Sequence, residues 1–137
     1  MAGLALVGCS GSSDKRAKPT ATPCSDVTPI DDLSLLPADI PLTDFGDVIA
    51  ASVKKGFLVV ELRSDQLVIE ADPPIQRELL AAGYEVLSHD NEGFEAEIFF
   101  ARGQDVVGTF TLRNLCTEQI QIRLLYGSTR YEKMKDT

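Results

Sequence analysis

Residues 94–126, FEAEIFFARGQDVVGTFTLRNLCTEQIQIRLLY, decide the fold. They contain three segments of strand length, which comprise residues 94–102, 105–113 and 119–126. In the third segment every second residue from Ile120 to Tyr126 is apolar and its neighbours are mostly polar, which is the period of a strand with one buried face. The connections between the segments are of hairpin length. The stretch therefore predicts consecutive antiparallel strands.

The first two segments differ from the third because they are apolar on both faces. Phe99 and Phe110 are set against Phe100 and Val107. Two explanations are open at this point. The strands are central and covered on both sides, or a bulge shifts their register.

The chain before residue 94 predicts three more strands. One covers residues 84–88 and leads into the polar turn at residues 90–93. The other two, residues 57–63 and 66–71, form a hairpin around the turn-forming pair Ser64-Asp65. In that register the cross-strand pairs are all apolar and on one face. They are Leu62 with Leu67, Val60 with Ile69, and Leu58 with Ala71.

One short helix is predicted between Asp72 and Gly83. Asp72 suits the N-cap, Pro73 suits the first helical position, and Gly83 suits the residue that ends the helix. Its apolar stripe comprises Ile75, Leu79 and Leu80. A helix of about ten residues is not stable alone in water, so we expect it to pack on the sheet.

These elements predict an α+β domain at residues 30–127. Its antiparallel sheet has five to six strands with one short helix packed on it, in the order β-β-α-β-β-β-β, and an extra strand near residues 48–52 is an open option. Pro37 and Pro41 exclude a long helix in residues 30–44, which we expect to form an extended strap on the domain. The polar tail at residues 128–137 is expected to fray.

The N-terminus changes composition abruptly after Cys9. The residues before it are apolar, and the residues after it are Ser, Gly and charged residues. Leu6-Val7-Gly8-Cys9 resembles the lipobox of bacterial lipoproteins, and a Ser/Gly-rich continuation is common in that family. No Lys or Arg precedes Cys9, so we expect the signal peptide to begin upstream of Met1.

The resemblance implies a location and an anchor. Residues 1–9 would be the remnant of a signal peptide, and Cys9 would carry the lipid that holds the protein to the outside of the bacterial cell membrane. Residues 10–29 have the composition of a flexible tether. The helix end Leu79–Tyr84 is also similar to a pattern, Leu-x-x-small-Gly-aromatic, in small and mostly uncharacterised bacterial lipoprotein domains. That similarity carries no assigned activity.

Two cysteines remain once Cys9 is assigned to the lipid. An even number of thiols in an oxidising compartment favours a disulfide between Cys24 and Cys116. The bond would close a loop of roughly 90 residues and attach the end of the tether to the domain. The alternative is two unpaired thiols in a loop and a turn.

The charge of the chain argues against nucleic acid as a partner. The net charge is −8, and residues 25–137 alone carry −10 because residues 10–24 carry +2. Phosphate backbones would repel so acidic a body. No run of apolar residues approaches the ~18 that a membrane-spanning helix needs.

Residues that could carry chemistry are few. His89, the one histidine, is expected in a solvated turn with Asp90, Asn91 and Glu92. Glu95 and Glu97 share one face of a strand, with Glu85 expected nearby, and such pairs more often serve solubility than acid–base catalysis. No nucleotide, metal or nucleophile motif is present, so we predict no catalytic, metal-binding or cofactor-binding residues.

The function predicted from these observations is a membrane-anchored envelope lipoprotein with a non-catalytic binding domain. Its partners would be the membrane, through the lipid, and an envelope protein or cell-wall component. The first alternative is a small-ligand or lipid-binding lipoprotein with a cleft between the sheet and the strap. A less favoured alternative is an envelope hydrolase that uses Glu95, Glu97 or His89.

Overall fold

The computed structural model describes residues 22–137, so Cys9 and most of the predicted tether lie outside the described residues. In this part of the chain there are six strands and three short helices. In chain order they are α1 (Leu42–Phe45), β1 (Asp47–Lys54), β2 (Phe57–Ser64), α2 (Val68–Ala81), β3 (Glu85–Asn91), β4 (Glu95–Arg102), β5 (Val106–Cys116), β6 (Gln119–Gly127) and α3 (Thr129–Glu132). The predicted α+β class is confirmed, although three helices are present instead of one.

All six strands belong to one antiparallel sheet, with the order β1-β2-β6-β5-β4-β3. The β3–β4, β4–β5 and β5–β6 hairpins are neighbours in sequence, as the short connections predict. β6 then pairs with β2, which places the N-terminal hairpin beside the C-terminal strand. β1 and β3 are therefore the two edge strands.

The helices and the segment at residues 30–44 cover only one face of the sheet. Helix α2 packs over β3, β4 and β5, while α1 lies against β1 and α3 against β2. The aromatic core between these layers includes an edge-to-face contact between Phe45 and Phe110. The strands contribute alternate side chains to this core, which include Leu58, Val60, Ile98, Phe100, Leu112, Ile122 and Leu124.

The predicted hairpin at residues 57–63 and 66–71 is wrong in its second strand. β2 pairs with β1 instead, where Val60 faces Ala51 and Leu58 faces Val53. The optional strand near residues 48–52 is thus a regular strand of the sheet. Residues 66–71 mostly belong to the first turns of α2.

Helix α2 begins five residues earlier than the sequence predicted. Asp72 is not its N-cap but a buried residue inside it, and both Pro73 and Pro74 lie within the helix. The prolines remove hydrogen bonds to the carbonyls of Ile69 and Glu70, and both of these residues are exposed, so water can hydrate those carbonyls. Burial of Val68, Ala71, Ile75 and Leu79 follows the helical period and stabilises this longer helix.

Residues 30–44 pack on the domain but are not extended as predicted. They form turns followed by α1, and Ile40 and Leu42 are buried in the core. The backbone oxygen of Leu35 accepts a hydrogen bond from the Tyr131 hydroxyl at 2.5 Å. The segment is therefore held by the chain that follows the last strand.

The residues after Gly127 do not fray, in contrast to the prediction. Tyr131 of α3 is fully buried and makes an edge-to-face contact with Tyr126. The backbone N–H of Thr137 donates to the oxygen of Val53 at 2.9 Å, and the N–H of Ile30 donates to the oxygen of Val48 at 2.9 Å. Two segments from distant parts of the chain thus cover the outer edge of β1.

Among residues 22–137, no helix has both the length and the apolar character needed to cross a membrane.

Candidate binding face and buried polar clusters

The face of the sheet that points away from the helices is uncovered by the described part of the chain, except near Arg63, which donates to the oxygen of Ser25. We call it the open face. It carries the other alternate side chains of the strands, and several large apolar ones among them are unusually exposed. These are Phe57 at 40%, Phe99 at 40%, Val107 at 50% and Leu125 at 41%.

The open face explains why the sequences of β4 and β5 are apolar on both faces of each strand. Phe100 and Phe110 are fully buried on the core face, whereas Phe99 and Val107 lie on the open face. The β4–β5 pairing has no register shift. Neither a second covering layer in residues 22–137 nor a bulge between these strands accounts for the pattern. The apolar residues are exposed.

Strand register divides the open face into two ends. At the apolar end, one row across the sheet contains Val59, Leu125, Thr109 and Phe99, and the next row contains Phe57 and Val107. At the charged end, the rows contain Glu61, Arg123, Thr111 and Glu97, and then Arg63, Gln121, Arg113 and Glu95.

A groove of about 410 Å³ runs along the middle strands between these ends. Phe99 and Leu125 form its apolar wall, and Glu97, Arg113 and Arg123 supply charge. Arg113 lies 3.7 Å from Glu95, an exposed ion pair that contributes little to stability. The arrangement of an apolar patch next to charges of both signs is that of a protein interaction surface.

Glu95 and Glu97 lie on the open face, as their shared parity predicts. Glu85 is on the same face but in the apolar end row, opposite Ala101, while Glu97 is opposite Asp90. The two glutamates of β4 are exposed or half-buried.

His89 lies on the opposite side of the sheet from these glutamates. It is opposite Ile98 in β3–β4, and its side chain meets the carboxylate of Asp72 on α2. The expected solvated turn is therefore wrong for His89, Asp90 and Asn91, which are strand residues. His89 and the two glutamates therefore lie on different faces of the sheet.

Asp72 is the buried polar residue that the sequence did not reveal. It is 1% exposed, and its Oδ2 lies 2.6 Å from His89 Nε2 and accepts a 2.6 Å hydrogen bond from Asn91 Nδ2. Gln76 Nε2 donates to its Oδ1 at 2.9 Å. The sequence did contain a sign of this burial, because Asp72 has helical spacing to the apolar residues Val68 and Ile75. The resemblance of Asp-Pro-Pro to a helix start concealed it.

A second polar cluster, made of two buried tyrosines and two exposed charged residues, joins residues 30–44 to the sheet. The hydroxyl of Tyr84 lies 2.9 Å from Oδ2 of Asp39 and 2.8 Å from the hydroxyl of Tyr126, and Arg102 stacks over the Tyr84 ring at 4.3 Å. Burial raises the pKa of Tyr84, and its hydrogen bonds to Tyr126 and Asp39 raise this pKa further. Burial likewise raises the pKa of Tyr126.

The disulfide between Cys24 and Cys116 is present, with Cα atoms 5.0 Å apart. Beside it, the backbone N–H of Thr117 in the β5–β6 turn donates to the oxygen of Thr22 at 2.7 Å. The segment that precedes the domain is thereby fixed to the charged end of the sheet. The apolar end of the open face lies at the other end of the same strands.

A concavity of about 630 Å³ lies beside this attachment and is lined by acidic residues that include Asp26, Asp44 and Asp65. Within residues 22–137, no three carboxylate, histidine or cysteine side chains are placed to hold a metal ion. Arg63 is on its wall and donates to the oxygen of Ser25 at 3.3 Å. The concavity is formed by the fixed segment and does not resemble a binding pocket, because its lining is mainly polar and open.

Comparison with known proteins adds no relative: no protein family, no curated protein and no solved structure matches this chain. The open face is thus chosen as the candidate site on its geometry and composition alone.

Proposed function

We propose that this protein is an extracytoplasmic lipoprotein, anchored through Cys9, whose domain binds another component of the cell envelope through the open face. The observation that carries the proposal is the contrast between the two faces of the sheet. One is completely packed, and the other exposes Phe99, Val107 and Leu125 to solvent. Exposed apolar patches with a charged border on a small domain are typical of interaction surfaces.

The location rests on separate arguments. The lipobox-like Leu6-Val7-Gly8-Cys9 supports the anchor, and a disulfide is most stable in an oxidising compartment outside the cytoplasm. The disulfide also keeps the start of the domain attached to the β5–β6 turn.

The absence of a catalytic role is part of the same proposal. His89 and the pair Glu95 and Glu97 are on opposite faces, and Asp72 is engaged by three side-chain partners. Asp72 and His89 therefore serve to join α2 to β3. A ligand cleft between the sheet and residues 30–44 is also less favoured, because Ile40, Leu42 and Phe45 fill that space.

Site-specific photocrosslinking in the native envelope tests the binding face. A photoreactive residue at Thr109, in the centre of the open face, is expected to give crosslinked products in intact cells. The matched control is the same residue at Leu80, which is 59% exposed on the helix side. Equal crosslinking at both positions, or none at Thr109, would contradict the proposal.

The anchor is tested by mass and fractionation. The native protein is expected to have the mass of a chain cleaved before Cys9 and acylated, and to remain with the membrane after a salt wash. A Cys9→Ala variant is expected to be released from the membrane. An unmodified chain in the soluble fraction would overturn the location without bearing on the open face.

A further inference from the structure

We propose that the component bound by the open face is a second copy of this chain, in a symmetric face-to-face dimer. This inference rests on the proposed function, since it takes the open face to be an interaction surface. Three properties of the face support it. Its size suits a dimer, its apolar rows meet the same rows of the second copy, and charges of opposite sign meet in two of the rows.

The size of the open face suits a stable dimer. Six strands about 4.8 Å apart, each contributing some eight residues at ~3.3 Å, make a face on the order of 700 Å². Stable interfaces bury about 800 Å² on each partner. A dimer through this face thus comes close to the standard interface size without any other part of the chain.

Symmetry determines which residues would meet. Six strands have their midline between β6 and β5, and a twofold axis along that line places β6 over β5, β2 over β4 and β1 over β3 of the second copy. Because each row lies across the strands, every row then faces itself in reverse order. Packed sheets about 10 Å apart with nearly aligned strands have this geometry.

The apolar rows are complementary under this operation. Val59 on β2 faces Phe99 on β4, and Leu125 on β6 faces Thr109 on β5. In the next row Val107 faces Gly127, which the ring of Phe57 already covers within its own chain. Phe99, Leu125 and Val107 would each be covered by the second copy, each contact occurring twice.

The charges also meet with opposite sign in two of the rows. Lys54 on β1 is in the same row as Glu85 on β3, and the operation brings Lys54 of each copy over Glu85 of the other. Arg63 and Glu95 are related in the same way at the charged end, where Arg63 also donates to Ser25 and Glu95 also pairs with Arg113 within each chain. Both pairs lie near the border of the face, where ion pairs set orientation more than affinity.

One pair meets with like sign. Glu61 on β2 is brought over Glu97 on β4, with Arg123 of β6 in the same row beside them. Gln121 donates to Oε1 of Glu61 at 3.0 Å and partly satisfies that carboxylate. Each repulsive pair has an arginine one strand away, which limits its cost.

Sedimentation of the full chain tests whether it forms a dimer. The Cys9→Ser substitution is included because it removes both the lipid and the free thiol. The chain is expected to sediment as a dimer at micromolar concentration. Phe99→Arg places a charge in the apolar row twice per dimer and is expected to weaken association more than about tenfold. Leu80→Arg, an equally drastic change on the helix side, is expected to leave the dimer intact.

A charge exchange tests the geometry itself. Lys54→Glu and Glu85→Lys should each weaken the dimer, because each creates two like-charged contacts. The double variant should recover most of the lost affinity. Dimers that respond to neither substitution, but still to Phe99→Arg, would overturn the symmetry described here.

The crosslinking at Thr109 separates this inference from the proposed function. A product with the mass of two copies supports the dimer. A monomer in sedimentation together with crosslinks to a different envelope protein overturns the dimer and leaves the proposed function intact. A monomer with no crosslinks at Thr109 overturns both.

Discussion

The Nε2 atom of His89 lies 2.6 Å from Oδ2 of Asp72, and this contact joins the edge strand β3 to helix α2. The aspartate side chain is 2% exposed while the histidine side chain is 37% exposed, so the pair connects the interior to the surface. The same carboxylate accepts a hydrogen bond from Asn91, so two residues of β3 are held by one side chain of α2. Most side chains of β3 are exposed, so this strand has little apolar packing of its own. The polar contact therefore helps to hold β3 to the helix.

Removal of this carboxylate is expected to loosen β3 from α2. Asp72→Ala leaves Asn91 and Gln76 without their acceptor and should lower the free energy of unfolding by about 1–3 kcal/mol. Urea denaturation measures the change. The control is Asp90→Ala, the neighbour of His89 on the open face, which should change stability by less than about 0.5 kcal/mol. Equal effects of the two substitutions would contradict a structural role for Asp72.

The disulfide is expected to supply a large part of the stability of the domain. It links residues 92 positions apart, and loss of such a bond typically costs about 2–5 kcal/mol. Replacement of both Cys24 and Cys116 with Ser should therefore lower the midpoint of urea denaturation. The wild-type chain under reducing conditions should behave like the double variant, and Cys9→Ser should have no effect. A reductant-insensitive midpoint would argue against the bond.

Alkaline pH is expected to destabilise the protein through its buried tyrosines. The pKa values of Tyr84, Tyr126 and Tyr131 are raised by burial above the ordinary value of 10.0. Their stabilisation is therefore complete below pH 10 and is lost as the pH rises, because the unfolded chain ionises first. Each tyrosine should contribute a slope of up to about 1.4 kcal/mol per pH unit.

Denaturation of Tyr84→Phe between pH 8 and pH 11 checks this origin. The variant should be less stable at pH 8 by roughly 0.5–1.5 kcal/mol, since it loses the hydrogen bonds to Asp39 and Tyr126. Its stability should then fall less steeply above pH 10 than that of the wild type. Identical slopes in the two chains would exclude Tyr84 as a source of the pH dependence.

The close approach of Gly108 to Phe100 predicts a position where even a methyl group is not tolerated. A Cβ added to Gly108 would lie 2.2 Å from Cζ of Phe100, in the core. Gly108→Ala should lower the free energy of unfolding by about 1–3 kcal/mol. In a Phe100→Leu background the same change should cost clearly less, because the obstructing ring is absent. Additive costs would show that the ring is not the cause.

The C-terminal half of the fold was predictable because its signals are local. Alternation in residues 119–126 and short polar turns predicted the β4, β5 and β6 hairpins, and two spare cysteines predicted the disulfide. The pairing of β2 with β6 was not predictable in the same way. It joins residues that are far apart in sequence, and only the packed core selects it.

The helix start was mispredicted for a physical reason. Residues 66–71 contain apolar residues at the spacing that pairs with the preceding strand in a hairpin. Asp72-Pro73-Pro74 also has the composition of a helix start. The actual helix tolerates both prolines near its beginning and buries Asp72 among polar partners. The candidate site was missed similarly. Apolar residues such as Phe99 suggest burial, and sequence gives no measure of which face is left uncovered.

The segments that cover β1 determine how far this sheet can extend. Thr137 and Ile30 use the backbone groups of Val53 and Val48 on the outer side of that strand. Growth of a continuous sheet from chain to chain, as in a fibril, requires two available edges on every molecule. Since one edge is used within the chain itself, strand addition at β3 ends after a single pairing. The fold therefore resists indefinite polymerisation even though it displays an exposed apolar sheet.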